Sequence, residues 1–363
     1  MLWIRNMRKT LVILTPGFPK DEEDSTCIPD RQIFVRVLKE TYPQLNIIVL
    51  AFQYPYQPNE YSWNGIKVIA LGGKNKSGFY RRLTWIRAWR VLKEINAAYE
   101  VIGLLSFWFD ECAFIGDKFS KKYTLKHYSW LLGQDARPGN KYVYRIMPNG
   151  DNLIALSDYL VNEFKKNYDI TPQHLVPGAV DTSLFKPLLA ERDIDILGVG
   201  SLIPLKQYKL FIETVKFLKG VLPDIKAVIC GKGPEMDLLK AMVLSYQLEG
   251  NITFKGEVSH PGVLEYMQRS KILLHPSKYE GFSTVLLEAL YAGAHVVSFF
   301  SPMKTPFRHH HIVTDQDEMN YEVLVLLTNT HRGHEPVLIN EMKQTATSIV
   351  NLFESNYKEA AIT

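Results

Sequence analysis

Cysteine is scarce: the 363 residues hold three, Cys27, Cys112 and Cys230. Three thiols far apart in the sequence make neither a disulfide framework nor a zinc-ligand cluster, so the expected setting is a reducing cytoplasm. Long apolar runs are absent as well. None reaches the roughly 18–20 residues that span a bilayer. The run at 11–14, behind Arg5, Arg8 and Lys9, is too short for the apolar part of a signal peptide. No repeat of solenoid length is visible. No G-x-G-x-x-G opens the first strand–helix unit, which argues against a nicotinamide dehydrogenase. Between Tyr61 and Lys93 there is no acidic residue at all.

What remains is globular. Hydrophobic residues make up 46% and charged residues 22%, which excludes a disordered chain. At about 150 residues per domain the length predicts two domains. The net charge of +4 hides an asymmetry: residues 1–186 hold 25 Lys and Arg against 18 Asp and Glu, and residues 187–363 hold 17 against 20, giving +7 and −3. A basic half beside a mildly acidic one points to an anionic partner for the first.

Short β-branched runs alternate with amphipathic stretches throughout, the signature of βαβ units and a mostly parallel sheet. The pattern predicts strands at 10–15, 46–51, 101–106 and 153–157, with helices at 31–40 and 158–168. The segment 177–192 has two prolines and a glycine and neither period, and reads as a linker. Strands follow at 194–199, 225–230, 251–254, 272–274 and 295–299, with helices at 206–218, 234–246, 262–269 and 284–292. After Phe300 the strand signals fade, leaving helices at 318–327 and 341–357. The expected fold is α/β: two Rossmann-like doubly wound domains, about 1–182 and 183–340, whose strand carboxyl ends face each other across a cleft.

The segment 275–294 is the most informative. A strand ends near Leu274, a loop carries Glu280 and Gly281, and a helix starts near Ser283 and Thr284. The free N–H groups and dipole of a helix start suit a phosphate, and Gly281 permits close approach. Glu280 and Glu288 would flank that site, and a carboxylate suits a sugar or ribose diol because it accepts two hydroxyl hydrogen bonds. Isolated glutamates are usually solvated. Glu288, however, stands among Leu286, Leu287, Ala289 and Leu290, and a buried carboxylate needs a partner.

Here the sequence resembles a known family. Glu280 to Glu288, with Gly281-Phe282 after the first and Ala289 after the second, resembles the E-x7-E motif of the family 4 retaining glycosyltransferases (glycosyl transferases group 1), which have the GT-B fold. Gly231-Lys-Gly-Pro-Glu235 is similar to the family's Gly-x-Gly-Pro turn, and Phe254-Lys-Gly-Glu-Val258 to its Phe-x-Gly-x-Val stretch. The runs 154–160, 176–181 and 185–187 resemble its path into the linker. The resemblance covers about residues 150–300.

It implies a role for each matching position. Glu288 would hold the nucleotide ribose and Glu280 the donor-sugar hydroxyls, while backbone N–H groups at Phe282, Ser283 and Thr284 bind the distal phosphate beside Gly281. In the stretch 199–206, Lys206 matches a lysine that neutralises the diphosphate, and Ser201, next to Gly200, stands where the family has an arginine. Val258 completes the donor side. Gly17, after the first strand, matches a glycine near donor phosphate and acceptor. Leu132-Gly-Gln-Asp135 resembles a His-Gly-x-Asp segment: Gly133 and Asp135 are kept, and Leu132 replaces the histidine. Glu280, Lys206 and Asp135 are therefore the candidate catalytic positions. The implied reaction needs no protein nucleophile, no cofactor and no obligatory metal, the leaving phosphate taking the acceptor proton. Asp193-Ile-Asp195 reads as chance, the run His309-His310-His311 as a solvated loop, and Asp21-Glu-Glu-Asp24 as a solvated loop. The resemblance also implies that a helix at about 341–363 packs back on the first domain.

The acid-free stretch carries eight basic residues interleaved with Phe79, Tyr80, Trp85 and Trp89. On a helix, Trp85, Ala88, Leu92 and Ile95 share one face. Arg82, Arg87, Arg90 and Lys93 share the other, with Phe79, Leu83 and Ile86. A solvated basic face and a peripheral contact of residues 74–93 with an anionic membrane both fit. Nucleic acid does not, since no reading motif accompanies the charge. The expectation is a cytoplasmic retaining glycosyltransferase, possible on the inner face of a membrane, with a nucleotide-sugar donor and a glycan or lipid-linked acceptor. The alternatives are a silent sugar-nucleotide binder and a sugar-nucleotide epimerase.

Overall fold

The computed structural model describes residues 8–186, 191–329 and 333–359. Arg5, Pro187 at the end of the linker motif, and the last four residues lie outside them. The chain divides into two compact units: one ends at Pro177 and takes up again at Met342, and the other runs from Gly178 to Glu341.

The first unit contains β1 (Lys9–Gly17), α1 (Pro29–Thr41), β2 (Asn46–Tyr54), β3 (Asn59–Trp63), β4 (Ile66–Ala70), α2 (Phe79–Ala98) and β5 (Glu100–Phe107). It continues with α3 (Glu111–Tyr123), β6 (His127–Leu131), α4 (Lys141–Ile146), β7 (Leu153–Ala155), α5 (Asp158–Tyr168) and β8 (His174–Leu175). Its sheet has the order β3-β4-β2-β1-β5-β6-β7-β8, parallel except for the β3–β4 hairpin at one edge. Removing that hairpin strand leaves a doubly wound order that reverses between β1 and β5. Buried faces drive it: Val12, Leu14, Ile48, Leu50 and Leu104 of the sheet pack against Ala88, Leu92 and Ile95 of α2 and Ile115 and Phe119 of α3.

The second unit contains β9 (Ile194–Val199), α6 (Tyr208–Lys219), β10 (Ala227–Cys230), α7 (Met236–Ser245), β11 (Ile252–Gly256), α8 (His260–Gln268) and β12 (Ser270–His275). Then come α9 (Thr284–Tyr291), β13 (His295–Ser298), β14 (His310–Ile312) and α10 (Gln316–Thr328). The order β11-β10-β9-β12-β13-β14 is parallel throughout. Numbered within the unit, that is 3-2-1-4-5-6, the dinucleotide-binding order, whose ligand crevice lies where the order reverses, between β9 and β12.

The last helix, α11 (Met342–Glu359), is part of the first unit. Lys126 Nζ donates to the carbonyls of Leu352 (3.0 Å) and Phe353 (2.8 Å). The Phe353 ring meets Tyr128 edge-on at 5.1 Å and lies so close to Gly103 that a Cβ there would strike it.

Several features depart from the sequence expectations. Strands β3 and β6 hold no β-branched residue and so do not announce themselves, while β4, which alternates Ile66, Val68 and Ala70 inward, and helix α3 were not expected either. Strand β14 lies beyond Phe300, where strand signals fade, because three residues suffice to extend a sheet whose neighbour is already in place. The run 309–311 is accordingly not a solvated loop. His310 is buried and bonds Ser298 Oγ through Nε2 at 2.8 Å, and His311 Nε2 lies 3.1 Å from His295 Nδ1. Among the described residues no helix is long and apolar enough to cross a membrane.

Candidate functional site

At the reversal point of the second unit three loops follow β9, β10 and β12. The first two are knitted together by the backbone, Gly200 N donating to Cys230 O (3.0 Å) and Leu202 N to Lys232 O (3.0 Å), and Gly231 N ties the second to the end of β11 through Gly256 O (2.7 Å). Side chains cannot fit at this seam. Gly231 has φ +150°, and a Cβ there would run into the Gly200 carbonyl; a Cβ on Gly233 would run into that of Leu202. The Gly-x-Gly spacing is therefore a packing requirement as well as a motif. Ser201 is exposed at the tip.

Lys206 ends a short turn after β9, and the β12 loop docks on that turn: Lys278 N donates to Leu205 O at 2.9 Å. This docking delivers Lys206 Nζ to Glu280 Oε1 in a direct ion pair. The same oxygen accepts from His275 Nε2 at 3.0 Å, and the His275 side chain is only 4% exposed. Burial by itself pushes the Glu280 carboxyl up. The bond and charge of His275, then the charge of Lys206, overcome it and hold the group down at about 2.

Glu288 lies in the second turn of α9 and is 5% exposed. Its Oε1 faces His260 Nε2 at 2.7 Å. The two glutamates thus have separate partners: Glu280 holds Lys206 and His275, and Glu288 holds His260. His260 and His275 were missed by the sequence reading. The only signal was position, His275 as the last residue of β12 and His260 as the first of α8.

Helix α9 starts at Thr284 after Ser283, whose side chain gives no cap. Its first N–H groups therefore have no side-chain partner from Ser283. Phe282 is buried against Gly178, where a Cβ would collide with its ring, and its ring lies 6.3 Å from that of Phe307. That anchorage places the helix start. Val258, half-buried, packs on Gly262, the third residue of α8. Gly281, Phe282, Ser283, Thr284, Gly200, Ser201 and Lys206 all lie on the loops beyond the carboxyl ends of β9 and β12, together with Glu280.

In the first unit Gly17 ends β1, with Tyr54 Cβ and Cys27 Sγ in ordinary contact distance of a Cβ there. Asp135 is 7% exposed, and its oxygens accept the N–H groups of Phe109 (2.9 Å), Leu132 (3.1 Å) and Gly133 (2.8 Å). Burial raises this carboxyl and those bonds oppose the rise. Asp135 ties the loops after β5 and β6 together, which is a positioning role. Beside it Asp110 caps α3 through Cys112 N at 2.7 Å. Burial, then the neighbouring Glu111 and Asp135, push the Asp110 carboxyl up to about 8 against that bond. Glu111 itself binds Gln53 Nε2 and, at 2.6 Å, Trp85 Nε1. Trp108, just before, has φ +62°, a conformation a bulky residue adopts at a cost. No sequence motif pointed to Asp110 or Glu111.

Other polar runs are structural. Asp193 pairs with Arg269 through both oxygens (2.9 and 2.6 Å), and Asp195 with Lys271 at 2.7 Å. In the 21–24 loop Asp24 accepts from Tyr54 Oη at 2.8 Å. Among the described residues no three His, Cys, Asp or Glu side chains are grouped to hold a metal.

Residues 180–305 match the glycosyl transferases group 1 family. Over 164 residues the chain is 32% identical to the phosphatidylinositol N-acetylglucosaminyltransferase gpi3 subunit of Schizosaccharomyces pombe, covering 44% of this chain and 36% of that protein. Over 165 residues it is 30% identical to the N-acetylgalactosamine-N,N'-diacetylbacillosaminyl-diphospho-undecaprenol 4-alpha-N-acetylgalactosaminyltransferase of Campylobacter jejuni, covering 44% of each. The match thus spans less than half the length of these curated relatives. Sucrose-phosphate synthase from Thermosynechococcus elongatus superposes with a TM-score of 0.74 at 15% identity, over 98% of this chain and all of that one. This likeness is one of fold, the GT-B fold of two Rossmann-like domains. Through residues 180–305, in the unit that carries Lys206, Glu280 and Glu288, the chain is similar to the glycosyl transferases group 1 family.

Proposed function

We propose that this protein is a retaining glycosyltransferase that moves a sugar from a nucleotide-diphosphate donor to an acceptor hydroxyl in polysaccharide or lipid-linked glycan synthesis. The observation that carries the reading is the convergence of Lys206, Glu280 and the uncapped start of α9 at the reversal point of a 3-2-1-4-5-6 sheet. A diphosphate seated on the α9 start meets backbone donors and competes with Glu280 for the Lys206 ammonium. Cation and dipole stabilise the charge that grows on the leaving phosphate, which takes the acceptor proton. Glu280, held ionised, accepts donor-sugar hydroxyls, and Glu288, held by His260, takes the ribose. Asp135 positions the loops after β5 and β6. No resident cofactor or metal enters this scheme.

Both curated relatives are named for lipid-borne substrates, a phosphatidylinositol and a diphospho-undecaprenol. A lipid-linked acceptor, reached by peripheral contact of residues 74–93 with an anionic membrane at its cytoplasmic face, accords with those names. The exposed Ser201 favours a second reading, binding without transfer, since it stands where relatives carry a second cation. A thermal-shift panel of sugar nucleotides, followed by a transfer assay with the best binder and lipid-linked acceptors, separates the two. A ligand at a hundred times its Kd adds about 2.7 kcal/mol of stability. Stabilisation with turnover supports the transferase, stabilisation without it the binder, and no stabilisation across the panel removes both.

A further inference from the structure

Helix α2 buries Thr84, Ala88, Leu92 and Ile95. The opposite face, at spacings of three and four, carries Phe79, Arg82, Ile86, Arg90 and Lys93. Phe79 is 69% exposed and Ile86 58%. On the flank of this face lies a groove of about 270 Å³, floored by Pro58, Ile69, Leu71 and Val91 and rimmed by Arg87 and Arg90. Arg87 Nη1 is held at the rim by the Leu71 carbonyl, 3.3 Å away. Arg90 has neither an ion-pair nor a hydrogen-bond partner among the described residues. The one carboxylate at the groove, Glu60, is taken up by Lys67 at 2.7 Å.

From this we infer that the groove between α2 and the β3–β4 hairpin binds an anionic phospholipid of a bilayer, its phosphate between Arg87 and Arg90 and its glycerol and upper acyl carbons on the apolar floor. A soluble anion would use the guanidinium groups and leave the apolar floor idle. A purely charged contact would not call for exposed Phe79 and Ile86 beside the cations. An amphiphile uses both: the two apolar side chains enter the interface while the arginines meet head groups. The inference rests on the membrane-contact part of the function proposed above, and not on donor binding.

The test is co-sedimentation of the full chain with vesicles of phosphatidylcholine alone and of phosphatidylcholine with about 30% phosphatidylglycerol. Binding is expected to the second only. The double variant Arg87→Gln/Arg90→Gln should weaken it by about thirtyfold, while Lys226→Gln/Lys240→Gln, which removes the same charge from the second unit, leaves it near wild type. Val91→Trp fills the groove, keeps every charge, and should weaken binding as well, with thermal unfolding and circular dichroism confirming the fold. A Val91→Trp protein that binds like wild type overturns the groove in favour of plain charge attraction. Release of the vesicles by millimolar inorganic phosphate, at constant ionic strength, overturns the lipid in favour of a soluble anion. The sugar-nucleotide thermal shift is read on the same samples. A wild type that responds to a sugar nucleotide and ignores both vesicles sinks this inference and leaves the transferase standing; the opposite pattern does the reverse.

Discussion

Each unit buries a carboxyl group near the carboxyl ends of its strands, and the two are pushed in opposite directions. In the second unit, of net charge −3, Glu280 is held down at about 2; in the first, of net charge +7, Asp110 is pushed up to about 8. Net charge predicts the reverse. The difference lies in what touches each group. Glu280 has Lys206 and His275 in direct contact, whereas Asp110 is buried with Glu111 and Asp135 nearby and only the neutral backbone and thiol donors of Cys112 to offset them. Contacts within about 4–6 Å act through protein, while charges farther off across the surface are screened within a Debye length of roughly 8–10 Å. The acidic half can therefore present the cation that an anionic donor needs.

The comparison breaks most visibly at Lys206. Lys206→Ala should lower turnover with the best donor by roughly 10²–10³-fold. The Glu280 carboxyl, followed by carbon-detected NMR, should rise from about 2 toward the ordinary range. An unmoved Glu280 would mean that His275 alone sets it. Glu280→Gln comes next. The Glu280 pKa is depressed, so its contribution is present above the ordinary value of 4.5 and is lost as pH falls through about 2. Up to about 3 kcal/mol should thus be missing from the variant at neutral pH and absent from the comparison near pH 2. Urea unfolding at both pH values measures it.

Gly231→Ala tests the seam that carries Lys206. The new Cβ meets the Gly200 carbonyl and should cost about 1–3 kcal/mol of stability, with donor affinity falling as the loops part. Differential scanning calorimetry checks the first and titration calorimetry the second. Asp110→Asn carries the comparison into the first unit. A carboxyl raised to about 8 costs stability as pH climbs from its ordinary 3.8 toward 8. Asparagine keeps the cap on α3 and removes that cost, so the variant should gain little at pH 4 and progressively more as pH rises to 8. Melting temperatures across that range would show the gap widening, and a constant gap would locate the effect in packing instead.

Much of the second unit was legible because its chemistry is local in sequence. Residues 199–206, 231–235 and 280–288 each keep a strand end, a loop and a helix start within about ten residues, and periodicity marks where each begins. Glu288 among leucines announced its own burial, and it is 5% exposed. The partners of those residues were not legible. His275 and His260 are ordinary histidines in sequence, and only the packing of β12 and α8 brings them to Glu280 and Glu288. Asp135 matched a motif, yet its oxygens face the backbone of two loops. The histidine run 309–311 read as solvent-facing because adjacent residues diverge; in β14 that divergence puts His310 inside and turns His311 toward His295.

The sequence by itself determined the alternation of strands and helices, the glycine-bearing loops, the spacing of the two glutamates and the acid-free stretch from Tyr61 to Lys93, because each depends on neighbours along the chain. Tertiary structure alone decided which charges meet. Lys206 and Glu280 are 74 residues apart, and Glu288 and His260 are 28 apart. Sheet order brings such pairs within a hydrogen bond, and whether a buried carboxyl ionises depends on what lies within a few ångströms of it.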